Sequence, residues 1–211
     1  MSEIVGVILA GGLSRRMGGG DKPLLALGGR PMLAHVVERF RPQVDALVLN
    51  ANGDPSRFGV TDLPVVPDTL PGHPGPLAGV LAGMRWAETH RPGARWVATA
   101  AGDTPFLPLD VVRCLAAALE GRPEEAIAIP SSESGTHQVF GLFPVSLADE
   151  LEEGLLSGEA RKVMAWIERH PTAVVPFASE GGVDPFFNAN TPEDLSRAEA
   201  LASSSSPKAT I

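Results

Sequence analysis

Ile4-Val5-Gly6-Val7-Ile8-Leu9-Ala10-Gly11-Gly12-Leu13-Ser14-Arg15-Arg16-Met17-Gly18-Gly19-Gly20-Asp21-Lys22 runs an apolar segment of strand length directly into a long, polar, glycine-rich loop. An unbroken apolar run fits a strand covered on both faces, as strands of parallel sheets are. The loop has anion chemistry. Glycines let backbone N–H groups approach a charged ligand closely, and successive N–H groups form a concave nest. Arg15, Arg16 and Lys22 add charge-assisted donors for phosphate oxygens, so a local positive spot stands on a chain of net charge -8. The competing reading is a surface loop with solvated arginines. Two familiar phosphate motifs fail here: Lys22 lies between Asp21 and Pro23, which breaks the P-loop pattern, and Gly-x-Gly-x-x-Gly is absent.

Beyond the loop, strand-like and helix-like segments alternate. Gly28-Gly29 reads as a turn and Pro31 as the first position of a helix whose apolar face is Met32, Leu33, Val36, Val37 and Phe40. Ala46–Leu49 is a second strand and Leu63–Val66 a short third. Leu77, Val80, Leu81 and Met84 mark the next helix, Trp96–Ala101 a fourth strand, and Val111 to Leu119 a third helix. After Gly121 two strands, Ala126–Ile129 and His137–Phe143, follow with no helix between them, which predicts a hairpin or antiparallel pair. Leu147, Leu151 and Leu155, then Val163–Ile167, read as helices. Ala173–Phe177 and Phe186-Phe187 read as strands, and Thr191-Pro192-Glu193-Asp194 caps a last helix. The expected fold is α/β, three layers with helices on both faces of a mainly parallel sheet and an antiparallel element in the second half. One domain is expected over residues 1–202, with a nucleotide half to about residue 120, an acceptor half from 121, and a disordered tail over 203–211.

Composition narrows the function classes. A net charge of -8 argues against nucleic-acid binding, which needs a broad basic surface. The single cysteine, Cys114, excludes a disulfide framework and is expected as a buried helix thiol. No apolar run reaches the ~18–20 residues of a membrane span, and the N-terminus lacks signal-peptide features, so the expected location is the cytoplasm.

Sheets of this kind bind ligands beyond the carboxyl ends of their strands. Asp103 stands there after the fourth strand, in Gly102-Asp103-Thr104-Pro105-Phe106. It is either a carboxylate for Mg²⁺, which takes one or two carboxylates plus phosphate and water oxygens, or a turn former before Pro105. Asn50 and Asp68 close the second and third strands, where they read a base edge or ribose hydroxyl, or simply form turns.

Leu9 to Gly12, Arg16-Met17-Gly18 and Lys22 match residue for residue the signature of the nucleotidyltransferase superfamily that activates sugars, isoprenoid precursors and pterins. The paired Gly11-Gly12 and Asp21-Lys22 most resemble the molybdenum cofactor guanylyltransferases. Gly102-Asp103-Thr104-Pro105-Phe106, Pro74-Gly75-Pro76-Leu77-Ala78-Gly79 and Asn188-Ala189-Asn190-Thr191-Pro192-Glu193-Asp194-Leu195 resemble further motifs of that family. The resemblance implies a Rossmann-like nucleotidyltransferase fold and transfer of GMP from GTP to a molybdopterin phosphate, with Mg²⁺ as cofactor. It also implies roles: Arg16, Lys22 and Asp103 catalytic; Leu9, Ala10, Gly11, Gly12, Asn50 and Asp68 on the nucleotide; Asn190 and Asn188 on the acceptor or metal. Expected partners are GTP, a molybdopterin-type acceptor and, transiently, molybdoenzymes or their chaperones, with no nucleic acid or membrane. The alternatives are a relative using CTP with molybdopterin or a sugar phosphate, and a non-catalytic nucleotide-binding maturation partner. Gln138 departs from the family's pattern beside His137.

Overall fold

β1 (Glu3–Leu9) alternates its side chains between two apolar layers, and that alternation organises the computed structural model, which describes residues 3–11, 21–72, 75–179, 181–189, 194 and 196–199. Val5 and Val7 face one layer with α2 (Pro76–His90), α4 (Ala148–Ser157) and α5 (Val163–Ile167). Ile8 faces the other with α1 (Met32–Phe40) and α3 (Val111–Ala118). Three layers result. Each fully buried Leu, Val, Ile or Phe side chain contributes about 1.5–3 kcal/mol, so two such faces supply most of the drive to fold.

β4 (Ala46–Asn50), β5 (Val65–Val66) and β6 (Ala94–Ala101) extend the sheet in parallel around β1. The path is β10-β7-β9-β6-β1-β4-β5, with β7 at Ile127–Ser132, β9 at Gly141–Pro144 and β10 at Thr172–Pro176. β9 lies antiparallel between β6 and β7, and β8 (Gly135–Thr136) folds back on β7. The expected mainly parallel sheet with an antiparallel element in its second half is therefore observed. β2 (Ala26–Leu27) and β3 (Arg30–Pro31) form a small separate hairpin around Gly28 and Gly29, both at positive φ. The chain builds outward from β1 to β4 and β5, then returns to β6 on the opposite side. That reversal creates a crevice at the carboxyl end of β1.

α2 presses unusually close to this crevice. Gly79 and Gly83 face the sheet, where a Cβ would collide with Leu9 and Asn50 in the first case and Val7 in the second. No helix among the described residues is long and apolar enough to cross a membrane.

Several local expectations need correction. Pro31 ends β3 and caps α1 instead of opening it. Only Val65–Val66 of the third run pairs as strand, since Pro64 has no N–H for the ladder. His137 to Phe140 form a turn, closed by Phe140 N–H donating to the His137 carbonyl at 2.9 Å, and the strand begins at Gly141. Phe186 and Phe187 are not strand residues: Phe186 lies in a turn and packs against His137, Phe140 and Phe177. Cys114 is only half-buried, because the inward face of α3 is Val111, Val112 and Leu115. Thr191, Pro192 and Glu193 lie outside the described residues; Asp194 and residues 196–199 are helical.

Candidate active site

The parallel register brings four strand ends level. Leu9 pairs with Asn50 on one side and Ala101 on the other, and Asn50 pairs with Val66. Main-chain bonds continue the alignment one step beyond: Ala10 N–H to the Asn50 carbonyl at 2.9 Å, Gly102 N–H to the Leu9 carbonyl at 3.0 Å, and Ala51 N–H to the Val66 carbonyl at 3.1 Å. Leu9, Ala10, Gly11, Asn50, Asp68 and Asp103 thus share one rim, as the sequence predicted.

At one end of the rim stands a lysine. Residues Lys22–Leu24 make a single 3-10 turn that folds over Gly102, where a Cβ would sit 3.2 Å from the Pro23 ring. Gly102 thereby lets Lys22 come alongside Asp103, and Lys22 Nζ lies 2.6 Å from Asp103 Oδ2. The same Nζ donates to Asn188 Oδ1 at 2.5 Å. Both charged side chains are largely shielded, 12% and 16% exposed. Asp103 lies in the turn that follows β6, and its carboxylate pairs there with Lys22.

The donor set also bears on a divalent ion. A carboxylate oxygen and an amide oxygen converge on one positively charged atom, and both are the hard oxygen donors that Mg²⁺ prefers. Among the described residues no group of three or more His, Cys, Asp and Glu is gathered for a metal. A site of one carboxylate plus an amide suits an ion that keeps water and substrate phosphate in its remaining positions, and so the residues fit Mg²⁺.

The other end of the rim is built of amides and a carboxylate. Asn50, 4% exposed, donates from Nδ2 to the Val66 carbonyl at 3.1 Å and to Asp68 Oδ1 at 3.0 Å. Asn52 donates to Asp68 Oδ2 at 2.7 Å and accepts from Asp68 N–H at 2.9 Å. Gly79 of α2 and Gly11 of the loop both face Asn50 Oδ1. The N-terminus of α2, at Gly75 and Pro76, opens at the same end of the sheet, and its positive dipole end favours anions there.

Gly12, Arg16 and Asn190 lie outside the described residues, whereas Asn188, expected on the acceptor or metal, is found bonded to Lys22. Sequence reasoning missed Asn52 and Arg57. Asn52 had a signal, the Asn-x-Asn spacing at a strand end; Arg57, in the 3-10 turn Pro55–Phe58, had none. It missed Asp184 as well. Asp184 accepts from Ser132 Oγ at 2.7 Å, Ser134 Oγ at 2.6 Å and Phe186 N–H at 2.8 Å, and the last of these marks an Asx turn before Pro185. His137 bonds Ser132 Oγ through Nε2 at 2.7 Å and stacks on Phe186, which gives it a packing role. Burial holds the His137 imidazole below its usual pKa against the smaller upward pull of Asp184. Burial also pushes the Asp184 carboxyl up, but its three hydrogen bonds outweigh that and hold it below the carboxylate range.

Residues 6–174 match the family described as MobA-like NTP transferase domain. A molybdenum cofactor guanylyltransferase from Bradyrhizobium sp. (strain ORS 278) is 50% identical over 201 residues, covering 95% of this chain and 94% of its own. A solved molybdopterin-guanine dinucleotide biosynthesis protein A from Archaeoglobus fulgidus has a TM-score of 0.73 and 28% identity, covering 95% of this chain and 99% of that one. A Mycobacterium tuberculosis protein of the same fold, 21% identical with a TM-score of 0.64, was solved in complex with manganese; the match covers 94% of this chain and 98% of that one.

Proposed function

The chain belongs to the MobA-like NTP transferase family, and from that premise we propose that it transfers GMP from GTP to the phosphate of a molybdopterin, releasing pyrophosphate. The observation that carries this reading is the meeting of Lys22, Asp103 and Asn188 within 2.6 Å at the carboxyl end of the sheet. Three distant parts of the chain supply those groups, on a rim whose other end is Asn50 and Asp68.

The reaction needs positioning and charge compensation more than covalent chemistry. An oxygen of the acceptor's phosphate monoester attacks the α-phosphorus of GTP in line. The bond from the α-phosphorus to the bridging oxygen breaks, its electron pair leaves with pyrophosphate, and a diphosphate joins guanosine to the acceptor. Lys22, with Arg16, neutralises charge that grows on the leaving group. Gly11 and Gly12 let main-chain N–H groups reach the triphosphate. Asp68, oriented by Asn50 and Asn52, accepts from the amino and imino N–H groups of guanine, a pattern that cytosine does not offer. Asp103, with Asn188 and Asn190, would hold Mg²⁺, which would supply electrostatic compensation for the phosphate oxygens.

The deciding experiment is pyrophosphate release with purified acceptor and each of GTP, CTP, ATP and UTP in Mg²⁺. Release with GTP alone is expected. Release led by CTP overturns the guanine assignment, and nucleotide binding without release makes the chain a non-catalytic partner.

A further inference from the structure

One guanidinium joins the two ends of the rim. Arg57 Nη1 lies 2.8 Å from both carboxylate oxygens of Asp21, the residue immediately before Lys22. Its Nη2 donates to the Asn52 carbonyl at 2.5 Å and its Nε to the Asp54 carbonyl at 3.0 Å. The group lies over the Phe58 ring, 5.0 Å from the centroid, and Phe58 is itself buried. An exposed ion pair ordinarily contributes little, since two long side chains must be ordered to form it. Here two main-chain carbonyls and an aromatic ring have already ordered the arginine, and a charge-assisted contact to both oxygens of one carboxylate adds geometric definition.

From Arg57 the bonds continue in both directions. Asp21 leads through one peptide to Lys22, and so to Asp103 and Asn188. Asn52 leads through its side chain to Asp68, and so to Asn50. We propose that Arg57 is a positioning residue that sets the distance between the phosphate end and the nucleoside end of the site: it clamps Asp21 with one arm and the Asn52 main chain with the other. It also neutralises Asp21, whose carboxylate pairs with no other cation among the described residues. This inference rests on the nucleotidyltransferase reading of the site.

The test compares wild type with Arg57→Ala, Arg57→Lys, Asp21→Asn and the double variant Arg57→Ala/Asp21→Asn, in steady-state GTP turnover and GTP calorimetry, with thermal midpoints as a fold control. Misplacing a reacting group by about 1 Å costs up to about 10²-fold, so Arg57→Ala is expected to lose roughly 10- to 10²-fold in kcat/KM for GTP. Arg57→Lys keeps the charge but cannot span both Asp21 oxygens and the Asn52 carbonyl, and should recover only part of the loss. The double variant should be no worse than Arg57→Ala, because both changes cut the same link. An Arg57→Ala enzyme within twofold of wild type overturns the inference, and so do single losses that multiply in the double variant. If Arg57→Ala does not fold, the lysine variant and Asp21→Asn decide by the same criterion. Wild-type turnover of GTP is measured in the same assay: its absence sinks the reading of the site, whereas its presence beside an unaffected Arg57→Ala sinks only the role of Arg57.

Discussion

Lys22 is the residue on which the proposed chemistry depends, and the role proposed for it has a size. Removing one preorganised group that compensates transition-state charge costs about 10²–10³ in rate, or roughly 3–4 kcal/mol. Lys22→Ala is therefore expected to keep GTP affinity within about tenfold, as Asn50, Asp68 and the loop amides remain, and to lose about 10²–10³ in kcat. Single-turnover kinetics at saturating GTP checks this, and near-wild-type turnover would remove Lys22 from the mechanism. The residue was legible because a cation closing a glycine-rich loop after a buried strand has few structural uses. Asp103 and Asn188 were legible as motif members. That all three meet at one atom was not, since the meeting depends on Gly102 giving room to Pro23, and a contact so distant in the chain leaves no local pattern. Arg57 was illegible for a related reason: its partner Asp21 is reached only once the 3-10 turn after β4 has formed.

At the scale of elements, α2 depends on two glycines. A methyl group at Gly79 would press on Asn50 and Leu9 together, so the helix must lift or Asn50 must turn away from Asp68. Overpacking of this kind costs about 1–3 kcal/mol, and Gly79→Ala is expected to lower stability by that amount. GTP affinity should fall with it, whereas Ala82→Gly, on the same helix but not facing Asn50, should lower stability alone. Denaturant midpoints and GTP calorimetry on the two variants separate these effects; equal loss of affinity in both would deny the link to Asn50. The turn His137 to Phe140 and its partner Asp184 give a second element-scale expectation. The His137 imidazole is held below its ordinary value of 6.5, chiefly by burial, so the unfolded chain binds its proton at a higher pH than the folded chain does. Stability is then fully present above about pH 6.5 and is lost as pH falls from there through the folded value. Asp184, lowered from 3.8, adds a further loss only below that point. Melting temperatures between about pH 8 and pH 5 should decline in the wild type and flatten in His137→Gln; parallel slopes would show that His137 does not carry the effect. Reading His137–Phe143 as one strand failed at this scale because apolar residues that fill a turn under an aromatic cluster look like strand residues in the chain. Phe186-Phe187 misled in the same way. The strands β1, β4 and β6, apolar on both faces, had no such rival reading.

For the whole molecule, the two apolar layers hold the sheet while the ligand rim is assembled from loops at its end, and a nucleotide that bridges those loops must couple to global stability. A ligand that binds only the folded state stabilises by about 2.7 kcal/mol at a hundredfold excess over its dissociation constant. For a chain of this size about 1 kcal/mol moves the melting temperature by about 2–4 °C, so GTP with Mg²⁺ should raise it by roughly 5–11 °C. Because Asp68 and Asn50 are proposed to read the base and Lys22 the phosphates, the two ends should separate by ligand. GDP and GTP should stabilise more than CTP by an amount that disappears in Asp68→Ala, and GTP's advantage over GMP should shrink, without vanishing, in Lys22→Ala. Differential scanning fluorimetry over a concentration series of the four nucleotides tests both statements. Equal shifts with GTP and CTP in the wild type would mean that the Asn50–Asp68 end does not select the base, whatever the Lys22 end does.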